Sequence, residues 1–185
     1  DEDVAKSDHL CRLARIEFEE WPCFWGRGCV PAAWSATAAS RQEAGAWNYR
    51  NQEADVPSEA TVCTDGSGGP FSSDARLCKV GQAAVEVTAS PDDPNDYIVI
   101  AAQYGGIQGR QTVPRAEAKA IVHGIGLANH RPVVIVSNAS YVCKNFGRKD
   151  MQDRVNGDVW AEIFEALEEH GGAVRIKKIQ SHLEK

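Results

Sequence analysis

The sequence predicts an α/β domain built on a mixed five-stranded sheet, with three antiparallel strands followed by parallel strands and with flanking helices. Three apolar segments joined by short, turn-rich connections come first, as in an antiparallel meander. Segments with helical spacing then alternate with apolar runs, which is typical of strands joined by helical crossovers. The chain has 185 residues, of which 43% are hydrophobic, so it is long enough to bury the core of one such domain.

Composition favours two regions with a boundary near residue 59. In residues 1–59 an amphipathic helix is predicted at Asp8–Glu20, followed by a connector rich in Trp, Pro and Gly at 21–34 and a linker at 35–59. The tryptophans are expected to pack against apolar surface rather than to carry chemistry. Residues 60–185 are predicted to form the α/β domain.

The first predicted strand, Ala60–Thr64, ends on Asp65 and a turn rich in glycine. An aspartate at the end of a buried strand is expected to meet a cation, because an unpaired buried charge is costly. The glycines would let a backbone or phosphate approach closely. On this stretch alone, an aspartate that caps a turn explains the pattern equally well. The second and third strands are predicted at Val80–Thr88 and Tyr97–Tyr104, separated by the turn cluster Ser90–Asn95.

A helix is predicted from Thr112, the N-cap, to Leu127, with Pro114 in its first turn. The apolar run Arg131–Ser137 then predicts a strand parallel to the first. Asn138 follows it at the carboxyl end, where open α/β sheets bind ligands. The remaining predicted elements are a short helix at Ala139–Phe146, a longer helix at Gly157–His170 and a last strand at Ala173–Gln180.

The net charge, the apolar runs and the cysteine spacing make several classes of function less favourable for this sequence. The formal net charge of −6 argues against a nucleic-acid binder that works by bulk charge, so a polyanion would need a local basic track or metal ions. No apolar run reaches the roughly 20 residues of a membrane span. The six cysteines form no C-x-x-C pair, and we expect reduced thiols in an intracellular compartment. A zinc site from His9, Cys23 and Cys29 fits no standard spacing.

Three motifs in this order of elements resemble the ribonuclease H family, type 1-like. They are Thr64-Asp65-Gly66-Ser67-Gly68 after the first strand, Arg115-Ala116-Glu117 in the first long helix, and Ser137-Asn138-Ala139-Ser140-Tyr141-Val142 after the fourth strand. The resemblance runs from about Ala60 to the C-terminal region, where Ser181-His182 follows the last strand. The connector at 21–34 is similar to segments that join such domains to the reverse transcriptases of retroelement polyproteins.

The resemblance implies an endonuclease that cleaves the RNA strand of an RNA–DNA hybrid. By position, Asp65 and Glu117 would be metal ligands, and Asn138 stands where the family has an aspartate. His182 matches a histidine near the site that aids turnover. Two Mg²⁺ ions, roughly 4 Å apart and replaceable by Mn²⁺, would clamp the scissile phosphate, activate water and stabilise the leaving oxygen. Clustered acids supply the oxygen ligands that such hard cations take.

The resemblance also implies nucleic-acid contacts. Arg110, Thr112 and Asn156 match positions that hold a phosphate of the DNA strand, and a helix N-terminus such as that at Thr112 suits an anion. A capping threonine beside a surface arginine is the alternative. The further residues expected to contact nucleic acid are Gly66, Ser67 and Arg115.

Two departures from the family pattern predict an impaired enzyme. Asn138 removes one charge from a site that should hold two dications. The family has another carboxylate in a helix beyond the histidine, whereas this sequence ends at Lys185, shortly after His182. A non-catalytic module that binds hybrids within a larger reverse transcriptase is the alternative. A sugar kinase or actin-like ATPase is disfavoured, since those proteins need a second, duplicated domain.

Overall fold

The computed structural model describes residues 47–68, 80–93 and 95–180. The predicted helix at Asp8–Glu20, the tryptophan-rich connector and the candidate residue His182 lie outside these ranges. In chain order the described elements are β1 (Trp47–Arg50), β2 (Ala60–Ser67), β3 (Gly81–Ala89), β4 (Tyr97–Gly106), α1 (Val113–Leu127), β5 (Val133–Ser137), α2 (Ser140–Asn145), a 3₁₀ helix (Lys149–Asp153), α3 (Gly157–His170) and β6 (Val174–Lys178).

The strands form one mixed sheet in the order β1-β4-β3-β2-β5-β6. Strands β2, β3 and β4 form the predicted antiparallel meander. Strand β5 then lies parallel to β2, and β6 lies parallel to β5. Helix α1 packs against β2, β3 and α3. The predicted fold class is confirmed, and β2 and β5 end at the same edge of the sheet.

The sheet has six strands rather than five, because the predicted linker at 35–59 contains a strand. Residues Trp47–Arg50 pair antiparallel with β4, with Trp47 opposite Tyr104 and Arg50 opposite Ala101. Aromatic and polar residues alternate along β1, yet all four are exposed, so this short alternation does not reflect a half-buried strand. The linker prediction is therefore wrong for these residues, and within the described chain the sheet begins at Trp47.

The core lies between the helices and one face of the sheet. Trp160 is fully buried, and its indole Nε1 donates to the Tyr141 hydroxyl at 2.8 Å, as a buried indole N–H requires. Gly124 brings α1 close to β2, since a Cβ there would lie 3.1 Å from Cγ2 of Thr64. Other members of the buried cluster are Ala60, Val62, Ile121, Ile125, Val133, Ile135, Val142, Val159 and Ile163.

A buried ion pair ties β3 to the end of α1. The Glu86 carboxylate is completely buried, and Arg131 contacts its two oxygens at 2.9 and 2.8 Å. The same guanidinium donates to the carbonyl oxygens of Ala128 at 2.9 Å and of Pro57 at 3.0 Å. Arg131 therefore joins three segments that are far apart in sequence, in a cluster that no sequence pattern indicated.

Two further observations on the described part of the chain concern membrane-spanning helices and cysteine thiols. None of its helices has the length and apolar character needed to cross a membrane. Cys63 and Cys143 carry free thiols. The other four cysteines, with the zinc alternative that involves two of them, lie outside the described residues.

Candidate active site at the ends of strands β2 and β5

Asp65 and Asn138 lie next to each other in the sheet because β2 and β5 are parallel neighbours. Thr64 pairs with Ser137 in this register, and Asp65 and Asn138 are the next residues of their chains. Strand β2 does not end on Asp65 as predicted, since it continues through Gly66 to Ser67 in its pairing with β3. Two of the candidate ligands thus share one edge, as the topology predicted.

Gly66 brings Glu117 to the same edge. A Cβ on Gly66 would lie 2.6 Å from the backbone nitrogen of Glu117, a distance that no larger residue could accept without displacing the helix. This close approach sets the start of α1 directly against β2. It also lets the backbone N–H of Gly66 donate to the Glu117 carboxylate. The glycine after Asp65 is therefore needed for helix packing.

The Glu117 carboxylate is buried and incompletely satisfied. Its residue is only 8% exposed, and its Oε2 has no hydrogen-bond partner among the described residues. Its pKa is raised to about 7, chiefly by burial and also by the negative charge of Asp65, while the hydrogen bond from Gly66 lowers it. A cation at this position would stabilise the ionised form and occupy the unpartnered oxygen.

Asp65 itself is exposed, so the expectation of a buried charge that must meet a cation is wrong. Successive side chains of β2 point to opposite faces. Val62 and Thr64 are buried, whereas Cys63 and Asp65 lie on the open face. Water can solvate Asp65 there. The need for a cation comes instead from the buried Glu117, which lies close enough to Asp65 for that charge to raise its pKa.

Asp65 also borders an open cleft of about 280 Å³. The cleft lies over β2, β3 and β4, and Tyr104 is its largest side chain. Tyr104 is opposite Ala83, which is opposite Asp65, so the cleft runs across the sheet from the candidate site. Its lining residues are Asp65, Ser67, Gly81, Gln82, Ala83, Tyr104 and Gly105.

Arg115, expected to contact nucleic acid, is held by an intramolecular partner. Its guanidinium donates to both oxygens of Asp158, at 2.8 and 2.5 Å, and its Nε donates to the carbonyl of Gln108 at 3.4 Å. The hydrogen bond to Asp158 raises the pKa of Arg115. Arg115 thus links the first turns of α1 and α3, and a contact with nucleic acid would compete with this pair.

The other three predicted phosphate ligands lie at or before the starts of those two helices. Thr112 precedes α1 and Asn156 precedes α3, and neither side chain caps its helix. Asn156 adopts a left-handed backbone conformation with φ 64°. Arg110 is exposed just before Thr112. Because the Arg115–Asp158 pair holds the two helix starts together, a shared anion site between them stays a reasonable prediction.

Two groups beside the site carried no sequence signal. The Cys143 thiol donates to the carbonyl oxygen of Ser137 at 3.7 Å. Lys178, on β6, pairs in register with Ser137. A cysteine in a short helix and a lysine in a strand carry no local signal of function. The start of α2 after β5 brings Cys143 to Ser137, and the parallel pairing of β5 with β6 brings Lys178 to the same residue.

Glu117→Gln should stabilise the metal-free protein near pH 8 and change its stability little near pH 5. The pKa of Glu117 is raised from 4.5 to about 7, so the folded state binds this proton more tightly than the unfolded chain does. Its contribution is therefore most favourable at low pH and is lost as the pH rises towards 7. Thermal unfolding in EDTA at both pH values measures the effect.

The exposed Glu165 offers a matched control, because Glu165→Gln should leave the pH dependence unchanged. An equal shift of the unfolding midpoint at both pH values for Glu117→Gln would contradict the raised pKa.

Comparison with known proteins shows the fold. No family model matches this sequence, and no curated protein sequence matches it. Among solved structures, LC9-RNase H1, a type 1 RNase H with the type 2 active-site motif, is 16% identical with a TM-score of 0.50; the match covers 70% of this chain and 66% of that one. The prototype foamy virus protease–reverse transcriptase is 21% identical with a TM-score of 0.51; the match covers 71% of this chain and 19% of that one. The described domain has an RNase H-like fold.

Proposed function

We propose that this chain is a metal-dependent endonuclease of the ribonuclease H type, which cleaves the RNA strand of RNA–DNA hybrids and is weakened by Asn138. The observation that carries the proposal is the buried, unpartnered Oε2 of Glu117, next to Asp65 and Asn138 at one edge of an RNase H-like sheet. A carboxyl group whose pKa lies near 7 is expected at a functional site more often than in an ordinary core.

The donor atoms fit a hard divalent cation. Asp65 and Glu117 offer carboxylate oxygens and Asn138 offers an amide oxygen, all of which suit Mg²⁺ or Mn²⁺. When bound, such an ion would supply electrostatic stabilisation of the phosphate and an activated water. Within the described chain no group of three His, Cys, Asp or Glu residues could hold a metal ion. With only two acids, the set fits one ion better than the two that the resemblance implies.

The remaining residues of the proposed site would position the substrate. Asp65 is exposed, so a scissile phosphate could reach it from solvent. Thr112 and Asn156, at the starts of α1 and α3, would hold a phosphate of the DNA strand through the helix N-termini. The Arg115–Asp158 pair would keep these two helix starts at a fixed separation.

A hybrid-binding module without catalytic activity is the second candidate, and the neutral Asn138 favours it. Losing one acid reduces the repulsion between the site and a phosphate backbone while weakening metal binding. The foamy virus match supports a reverse transcriptase as the larger setting for either function, since a similar fold occurs there within one chain.

The test is cleavage of an RNA–DNA hybrid labelled on each strand, with an RNA duplex and a DNA duplex for comparison. In Mn²⁺ at high protein concentration, we expect slow cleavage confined to the RNA strand of the hybrid. The double substitution Asp65→Asn and Glu117→Gln should abolish it. Tight hybrid binding without cleavage would support the binding module, and no preference for the hybrid would contradict both candidates.

A further inference from the structure

Lys178 lies at the carboxyl end of β6, one strand away from Asn138. It pairs in the parallel register with Ser137, the residue before Asn138. The backbone N–H of Ile179 donates to the carbonyl of Ser137 at 3.0 Å, which fixes the end of β6 against the end of β5. Neighbouring strands are about 4.8 Å apart, so Lys178 begins at the same edge as the candidate ligands.

The side chain of Lys178 lies on the side of the sheet from which Glu117 approaches. Val174 and Ile176 pack against the core, and the two-residue period of a strand puts Lys178 on that side and Lys177 on the other. The effects of Lys178 and Glu117 on the pKa of the Cys143 thiol are consistent with Lys178 and Glu117 lying on the same side of the sheet. Burial raises the pKa of the Cys143 thiol, Lys178 lowers it and Glu117 raises it, so both charges act on one thiol.

Lys178, like Lys177, has no acidic partner among the described residues, in contrast to two nearby arginines. Arg175 pairs with Glu59 at 2.5 Å and Arg148 pairs with Asp150 at 3.0 Å. Lys178 is exposed and forms no ion pair within the residues that the structure describes. Its charge is therefore available to a ligand at the edge that holds Asn138.

We propose that Lys178 binds a backbone phosphate of the substrate beside Asn138, an inference that rests on the proposed function. The ammonium group is a compact, mobile charge with three donors, which suits a phosphate oxygen. The neutral Asn138 leaves less negative charge at this edge, so the approach of a phosphate to Lys178 meets less repulsion. Lys178 thus adds a positive contact on the side of the site opposite to the β3–β4 cleft.

Lys178→Gln and Lys177→Gln form a matched pair, because they remove the same charge from adjacent residues on opposite sides of one strand. The measurement is the affinity of the full chain for a fluorescent RNA–DNA hybrid, in EDTA, over a range of salt concentrations. Loss of one phosphate contact should weaken binding about tenfold at about 50 mM salt and reduce the slope of log K against log salt by about 0.9. Lys177→Gln should change both values much less.

Amine modification of the unsubstituted chain gives a readout that does not depend on a variant's folding. The hybrid should protect Lys178 from the reagent and leave Lys177 reactive. Equal effects of the two substitutions, or equal protection of the two lysines, would overturn the inference and leave the proposed function standing. Failure of the unsubstituted chain to prefer the hybrid over a DNA duplex would overturn the proposed function, and the inference with it.

Discussion

Asn138→Asp should raise the rate of Mg²⁺-dependent cleavage of the RNA strand by at least about 100-fold, because substitutions even one shell away from a metal cost 10–100-fold in affinity or activity. Asn138 adjoins Asp65 through the register of β2 and β5. An aspartate there would add a third carboxylate at the edge of the sheet where Oε2 of Glu117 has no partner. Three acids hold a dication far better than two acids and an amide do.

The measurement is single-turnover cleavage of a hybrid labelled on the RNA strand, over a titration of Mg²⁺. Asn138→Ser is the control, since it also removes the amide but adds no charge, and it should not activate. Combining Asn138→Asp with Glu117→Gln should cancel most of the gain. If Asn138→Asp binds the hybrid but cleaves no faster than the original chain, position 138 is not a metal ligand and the binding module becomes the better proposal.

The same substitution should destabilise the protein in the absence of metal. The negative charge of Asp65 already raises the pKa of Glu117, and a second neighbouring carboxylate would act in the same direction. Metal binding and folding would therefore become more strongly coupled. A rise in the unfolding temperature on adding Mg²⁺, larger for Asn138→Asp than for the unsubstituted chain, is the corresponding observation.

Local sequence signals account for most of the fold. Helix α3 has the predicted bounds, Gly157–His170, because its apolar spacing and the glycines at its end specify it without help from distant residues. Helix α1 begins after Thr112 as predicted. The order of the elements makes β5 parallel to β2, which is why the sequence alone predicts that Asp65 and Asn138 lie at one edge.

The features that could not be predicted from the sequence depend on contacts between distant segments. Strand β1 is held at the sheet edge by backbone pairing with β4, and all four of its side chains are exposed, so no buried face helps to specify it. The apolar residues of its strand predict a buried Asp65, yet β2 is covered on only one face near its end. The partner of Arg115 is Asp158, far along the chain. The resemblance that predicted a nucleic-acid contact for Arg115 could not reveal this partner.

Glu86→Gln should lower the free energy of unfolding by about 3–5 kcal/mol, the usual effect of removing one member of a buried ion pair. Glu86 is completely buried and Arg131 contacts both of its oxygens. The amide would keep the shape and leave the guanidinium without its counter-charge. Because Arg131 also donates to Ala128 and Pro57, it cannot easily move to solvent. Urea unfolding followed by circular dichroism measures the change.

Two comparisons separate the loss of charge compensation from a general effect of mutation. Glu59→Gln breaks the exposed pair with Arg175 and should cost less than about 1 kcal/mol, as surface ion pairs do. The double substitution Glu86→Leu and Arg131→Met removes both charges, and it should be less destabilising than Glu86→Gln, because an apolar pair leaves no buried charge unpaired. A double variant as unstable as Glu86→Gln would contradict this. It would show instead that the hydrogen bonds from Arg131 to the two carbonyls, and not its pairing with Glu86, join β3 to the end of α1.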